Sequence, residues 1–214
     1  MGREFLDIFT DWSSDYDDFV EGKDPEYQAV FKGYTTILKE IVRRSGLNVL
    51  EFGIGTGNLT QELILAGKWV FPVEPSEEMR KLAKTKLPNE IVIYDGDMQQ
   101  YPSPTRQLDT IVSSYVFHHL TDREKSLALK DYASQLEVGG KVIFADTMFE
   151  SLAMNDQAIA QAKQKQFYAL AEDLEREYYP LIPTVKELFE QAGFKVSFHQ
   201  MNEYVWIVEG TKLS

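Results

Sequence analysis

From residue 49 to residue 60 the chain reads Val49-Leu50-Glu51-Phe52-Gly53-Ile54-Gly55-Thr56-Gly57-Asn58-Leu59-Thr60. An apolar run enters three alternating glycines and leaves in a helical pattern, so the backbone can turn sharply and approach a ligand where a Cβ would collide. That suits a cradle for a nucleotide-like group, although a tight strand-to-helix turn uses the same residues. Glu74 comes about 20 residues after the first glycine, at the end of the apolar run Trp69 to Val73, where a carboxylate can accept from both hydroxyls of a ribose. Its plainer role is an acid at a helix start before Pro75. Asp97, in Tyr94-Asp95-Gly96-Asp97-Met98, ends the next apolar run. Its carboxylate can accept from an exocyclic adenine amine while Met98 offers an apolar face to the ring, or it can cap its own loop. Read in order, the three positions follow one adenosine from tail to ring, at the strand ends where open α/β sheets bind ligands.

The elements that must position these residues alternate. Apolar runs at Asn48–Phe52, Trp69–Val73, Ile91–Tyr94, Leu108–Ser113 and Lys141–Asp146 predict parallel strands, the last after a Gly139-Gly140 turn. Between them, helical patterns run through Tyr34, Ile37, Leu38, Ile41 and Val42 to a stop at Gly46, over Leu59–Ala66, from a Ser76 cap to Leu87, and over Asp122–Leu136. Beyond lie one long helix predicted over Leu152–Glu177, a helix capped by Thr184, and two alternating runs, Phe194–Gln200 and Tyr204–Glu209. The short joint between those runs demands an antiparallel hairpin. The fold class expected is α/β: a three-layer, doubly wound, mostly parallel seven-stranded sheet with an antiparallel C-terminal hairpin and a small N-terminal helical cap. Residues 1–214 are read as one domain, with cap helices at 1–30, the ligand-binding core at 31–150, and the long helix and hairpin at 151–214.

Composition narrows the partners. A net charge of −12 repels phosphate backbones and anionic membranes, so nucleic acid and membrane are not expected. The cluster Arg80, Lys81, Lys84 and Lys86 has helical spacing and reads as a solvated face. Cysteine is absent, which removes thiolate nucleophiles and thiolate zinc sites and suits a reducing compartment. With no export signal or apolar span in view, the expected location is cytoplasmic. The histidines are His118, His119 and His199. Because adjacent residues on a regular element point apart, at most one of the first two is expected to face a pocket, and no metal site is expected.

The sequence resembles the class I S-adenosylmethionine-dependent methyltransferases, most closely the small YrrT-type members. The resemblance rests on the Glu51-Phe52-Gly53-Ile54-Gly55-Thr56-Gly57 loop, Glu74, and Gly96-Asp97. It implies that Gly53, Gly55 and Gly57 hold the methionine part of S-adenosylmethionine and that Glu51 orients its amino group through water. Glu74 would take the ribose, and Asp97 with Met98 the adenine. A fourth motif is matched by Asp109 followed by Ser113-Ser114-Tyr115-Val116-Phe117-His118-His119-Leu120, which in relatives faces the methyl group. That makes Ser113 and Ser114 contact candidates and His118 a catalytic one. Trp12-Ser13-Ser14-Asp15-Tyr16-Asp17 resembles the lid segment of small-molecule methyltransferases, with Tyr16 the second catalytic candidate. Tyr27, Tyr34, Tyr178 and Tyr179 are further candidates to line the acceptor side.

The expected activity is in-line methyl transfer to a small-molecule acceptor, in a protein of open oligomeric state with a homodimer as one option. Two other readings compete, a binder of the same cofactor without catalysis and a nicotinamide-dependent oxidoreductase. The second is opposed by a third glycine two residues after the second, where the dinucleotide fingerprint places it three after.

Overall fold

Alternation within the strands decides which helices cover them. The computed structural model describes residues 19, 20 and 22–214, and among these six strands form one sheet: β1 (Asn48–Phe52), β2 (Trp69–Val73), β3 (Leu108–Ser114), β4 (Leu136–Thr147), β5 (Phe194–Gln200) and β6 (Val205–Lys212). Their order is β2-β1-β3-β4-β6-β5. β2, β1, β3 and β4 run parallel, and β6 joins β4 and β5 antiparallel. Val49, Val112, Ile143 and Ile207 project to one face. There they pack against Ile37, Leu38 and Ile41 of α1 (Tyr34–Arg44), Leu59 and Leu63 of α2 (Asn58–Leu65), Ala162 of α5 (Leu152–Gln164) and Leu170 and Leu174 of α6 (Tyr168–Arg176). Their neighbours Leu50, Ile111, Val142 and Val208 project to the other face, against Leu129 and Tyr132 of α4 (Asp122–Gln135) and Phe189 of α7 (Ile182–Gln191). Each parallel strand is therefore apolar on both sides, as a sheet covered by helices on both faces requires.

The expected third strand, Ile91 to Tyr94, is reduced to one parallel bridge, Val73 to Tyr94. The cause is Pro72. Tyr94 N–H donates to the Pro72 carbonyl and Glu74 N–H donates to the Tyr94 carbonyl. The preceding rung would need an N–H from residue 72, and proline has none. The sheet has six strands, with this segment leading instead into the Asp97 loop.

The long helix predicted over 152–177 is two helices. Gln166 adopts φ 62°, Gln166 N–H donates to Lys163 O, and Phe167 N–H donates to Ala162 O, a Schellman stop with glutamine in the usual glycine position. Glu26 then caps the next helix by accepting from Ala169 and Leu170 N–H. Since a left-handed non-glycine residue costs on the order of 1 kcal/mol, Gln166→Gly is expected to raise the melting temperature by about 2–4 °C in a thermal melt. An unchanged or lower value would mean that the turn is held by other contacts.

Smaller expectations also change. Gly46 does not stop α1 through a left-handed turn. The helix ends at Ser45, whose hydroxyl donates to Ile41 O, while a Cβ on Gly46 would lie 2.2 Å from an Asp109 oxygen. Thr184 lies inside α7, which starts at Ile182 with Pro183 in its first turn. The predicted Gly139-Gly140 turn lies within β4, which is longer than expected. Ser76 does cap α3 (Glu77–Lys86), accepting from Met79 N–H.

Candidate functional site

The carboxyl ends of β1 and β2 are tied together by their backbones. Gly53 N–H donates to Val73 O at 2.8 Å, and Gly53, Gly55 and Gly57 take φ 63°, 55° and 89°. Glu74, at the tip of β2, is buried. Its Oε2 accepts from Gly55 N–H and its Oε1 from Ser76 N–H, each at 2.9 Å. Each carboxylate oxygen has a second lone-pair direction, so these bonds fix the side chain without exhausting it. Burial pushes the Glu74 carboxyl up to about 7, with the two backbone donors pulling the other way. Glu51 is also buried and accepts from Thr60 Oγ1 at 2.7 Å; burial, with the Glu74 charge adding to it, raises it to about 8 against the Thr60 hydrogen bond.

Asp97 Oδ1 accepts from Gln99 and Gln100 N–H at 2.8 and 2.9 Å, so it closes its own loop, three residues beyond the single bridge at Tyr94. Met98 is 3 % exposed and packs in the core against the α4 side, and its carbonyl accepts from Tyr132 Oη. Ser113, near the end of β3, is fully buried, and its Oγ has no hydrogen-bond partner among the described residues. Buried hydroxyls are rarely left so.

Beyond β3 the chain turns through Tyr115, at φ 58°, into a 3₁₀ turn at Phe117–His119. Both histidines are buried there with ring centroids 4.1 Å apart, because a tight turn does not separate neighbours as a strand would. His118 Nδ1 lies 2.6 Å from Asp146 Oδ1 and its Nε2 3.2 Å from Glu177 Oε2. Its ring stacks on Tyr179, whose hydroxyl donates to Glu177. Burial alone would lower His118, but Asp146 and Glu177 outweigh it and raise the ring to about 10. His119 is pushed well down by burial and by the neighbouring His118 charge. Tyr27 donates to Asp173, which joins the segment before α1 to α6. Phe31, Tyr34 and Tyr115 form an aromatic wall, with Tyr115 4.9 Å from Phe31 and 6.0 Å from Tyr34.

Other residues of these motifs serve elsewhere or fall outside the described residues. Asp109 sits near the amino end of β3, away from the tips, where its Oδ2 accepts from Leu47 and Asn48 N–H and pins the entry to β1. Tyr178 is partly exposed, and its N–H donates to His118 O. Tyr16 and the segment Trp12–Asp17 lie outside the described residues. Sequence reasoning missed Asp146, an acid at a strand end like Glu74. It also missed Glu177, which has no local signal.

A sheet in this order, with a glycine loop and acids at successive strand tips, defines a class I methyltransferase fold. A methyltransferase-domain family model matches residues 50–144. An uncharacterized methyltransferase of Oceanobacillus iheyensis is 54% identical over 214 residues, covering 100% of both chains. The uncharacterized methyltransferase YrrT of Bacillus subtilis is 53% identical over 212 residues, covering 99% of this chain and 100% of its own. Among solved structures, the complex of DhpI with SAH superposes with a TM-score of 0.69 at 18% identity, covering 97% of this chain and 95% of that one. Magnesium protoporphyrin IX methyltransferase from Synechocystis with bound SAM gives 0.62 at 19% identity, covering 87% and 83%. The chain belongs to the S-adenosylmethionine-dependent methyltransferases, within the YrrT-type group.

Proposed function

We propose that the protein transfers the methyl group of S-adenosylmethionine to a small-molecule acceptor by in-line displacement, in the cytoplasm. The observation that carries this reading is the meeting of Gly55 N–H and the Glu74 carboxylate, which brings the glycine loop and the second strand tip to one point. When bound, S-adenosylmethionine supplies a methyl group on a positively charged sulfur, so that holding and drying the reactants is the main task left to the protein. Glu74 accepts from the ribose hydroxyls with its remaining lone pairs, Asp97 receives the adenine amine, and Glu51, fixed by Thr60, orients the amino group. Ser113 Oγ gains the partner it lacks.

On the acceptor side, Tyr27 bonded to Asp173 and Asn202 bonded to Val30 O and Lys32 O hold residues 27–32 against the tail. Residues 1–30 are the proposed cap, and Tyr16 its acceptor-facing residue, on the sequence motif alone, the contacts of residues 27–32 marking where such a cap would join the core. Because both ring nitrogens of His118 face carboxylates, we assign it to holding that wall in place and not to free general-base work. The net charge of −12 favours a small acceptor over nucleic acid. Among the described residues no helix is long and apolar enough to cross a membrane.

A methyl-labelled donor incubated with fractionated cell extract tests the reading. Label is expected in a low-mass product. Label entering only protein or RNA would refute the small-molecule assignment, and tight S-adenosylhomocysteine binding without any transfer would leave the protein a cofactor binder.

The raised carboxyls give a second, opposite pair of trends. Glu74 and Glu51 hold protons in the folded chain that the unfolded chain has already released above its carboxyl value of 4.5. Their contribution to stability is thus full below that value and lost as pH rises to about 7 and about 8. Ribose recognition needs the ionised Glu74, so single-proton linkage predicts S-adenosylhomocysteine binding about tenfold tighter at pH 8 than at pH 6. Calorimetry and melts across this range check both. Affinity and apo stability moving in the same direction would exclude Glu74 as the linked group.

A further inference from the structure

The structure assigns His118, His119 and Glu177 to a site for a divalent transition ion of the zinc, manganese or cobalt kind, held beside the acceptor end of the cofactor cleft. One ligand atom from each of the three lies within 4.8 Å of the others. The edge from His118 Nε2 to Glu177 Oε2 is 3.2 Å, close to the roughly 3.3 Å edge of a tetrahedron whose metal–ligand bonds are about 2.0–2.1 Å; in the metal-free chain that edge is an N–H···O ion pair, so an ion binds there by displacing the Nε2 proton to solvent. His119 must close by up to about 1.5 Å to bring separations within 4.8 Å down to that edge, a side-chain adjustment in a one-turn segment.

The support behind these ligands is of the kind metal sites use. A ligating imidazole commonly donates its other N–H to a carboxylate, which fixes the tautomer and aims the free lone pair. Asp146 Oδ1 stands 2.6 Å from His118 Nδ1, and Asp146 is itself held by His118 N–H and Thr147 N–H at 2.9 and 2.8 Å. Glu177 is steadied in turn by the Tyr179 hydroxyl at 2.7 Å. Two imidazoles with one carboxylate suit a borderline ion and disfavour calcium or magnesium, which take oxygen ligands. Lys125 and Arg176 face the pocket and oppose a cation. Both are engaged, Lys125 with Tyr178 O and Arg176 with Asp173, and Asp146, Asp173 and Glu177 supply three carboxylates against them.

Three protein ligands leave coordination positions open, as catalytic metal sites do. The 3₁₀ turn bearing both histidines begins three residues after β3 ends. An ion there would lie just beyond the carboxyl end of β3, on the side of the sheet where the proposed reading puts the acceptor. That placement rests on the methyltransferase reading, whereas metal binding itself does not.

Chelator-treated full-length protein titrated with Co²⁺ decides the matter. One equivalent is expected to produce visible d–d bands, which Zn²⁺ displaces. The bands should vanish in His119→Gln and in Glu177→Gln, persist in a His199→Ala control, and need about 10–100-fold more cobalt in Asp146→Asn. If a variant fails to fold, proton NMR of the wild-type cobalt protein is decisive, with paramagnetically shifted signals expected from two imidazoles. No bands with wild type, bands that survive both ligand variants, or no shifted imidazole signals would overturn the site. S-adenosylhomocysteine calorimetry on the same samples separates the two readings. Cofactor binding without cobalt binding sinks only the metal site, and cobalt binding without cofactor binding sinks only the methyltransferase reading.

Discussion

Glu74→Ala is expected to weaken S-adenosylhomocysteine binding by about two to three powers of ten while leaving the melting temperature within a few degrees of the parent. A hydrogen bond to a charged group contributes about 1.5–3 kcal/mol, so losing the acceptor for two ribose hydroxyls removes on the order of 3–4 kcal/mol, at about 1.4 kcal/mol per decade. Stability changes less because two effects offset each other. The substitution leaves Gly55 and Ser76 N–H without their acceptor, but it also removes a buried carboxyl whose ionisation burial opposes. Glu74→Gln sharpens the test. The amide keeps one acceptor oxygen but sets an N–H₂ against one of the two backbone donors, so an intermediate affinity is expected at pH 8. Unchanged affinity in the alanine variant would place the ribose elsewhere and remove the main support for the proposed site.

What the sequence made legible was whatever local order along the chain can carry. The glycine loop, Glu74 at the end of β2 and Ser76 as a cap are each set by a few consecutive residues, and the structure has them at those places. The departures come from partners far apart in sequence or from one overlooked atom. Pro72 has no N–H, which shortens the expected third strand to a single bridge. Nothing around Gln166 reads as a stop, since the break is stabilised by Phe167 packing on the core and by Glu26 reaching the next helix from over 140 residues away. Asp109 was readable as part of a strand, but its job there was not. As the second residue of β3 it lies about 16 Å from the tip, at roughly 3.3 Å per residue, on the end of the sheet opposite the ligand. The histidine pair reveals its surroundings only when β4 brings Asp146 and the end of α6 brings Glu177, and periodicity reports neither.

At Gly53 the same geometry combines a steric clash with a left-handed backbone, so a single methyl group there should damage the fold twice over. A Cβ there would stand 2.4 Å from Val116 Cγ2 and 3.0 Å from Cγ1, and the backbone already has φ 63°, where a side chain costs about 1–2 kcal/mol. Val116 cannot turn away, because its branched Cβ allows few rotamers and both methyls lie toward Gly53. Gly53→Ala is therefore expected to destabilise the protein by about 3 kcal/mol, a fall of roughly 6–12 °C in melting temperature for a chain of this size. Adding Val116→Ala should restore the steric part and leave the backbone part. The double variant should then melt above Gly53→Ala alone, although Val116→Ala by itself is mildly destabilising. Val116 also leads directly into the turn that carries His118 and His119, so pressure from residue 53 moves the acceptor wall as well as the cofactor loop. The single variant should lose cofactor affinity and any metal response together, and the double variant should recover both in part. A Gly53→Ala protein that melts like the parent, or a double variant with no recovery, would show that the loop and this turn do not press on each other as the geometry requires.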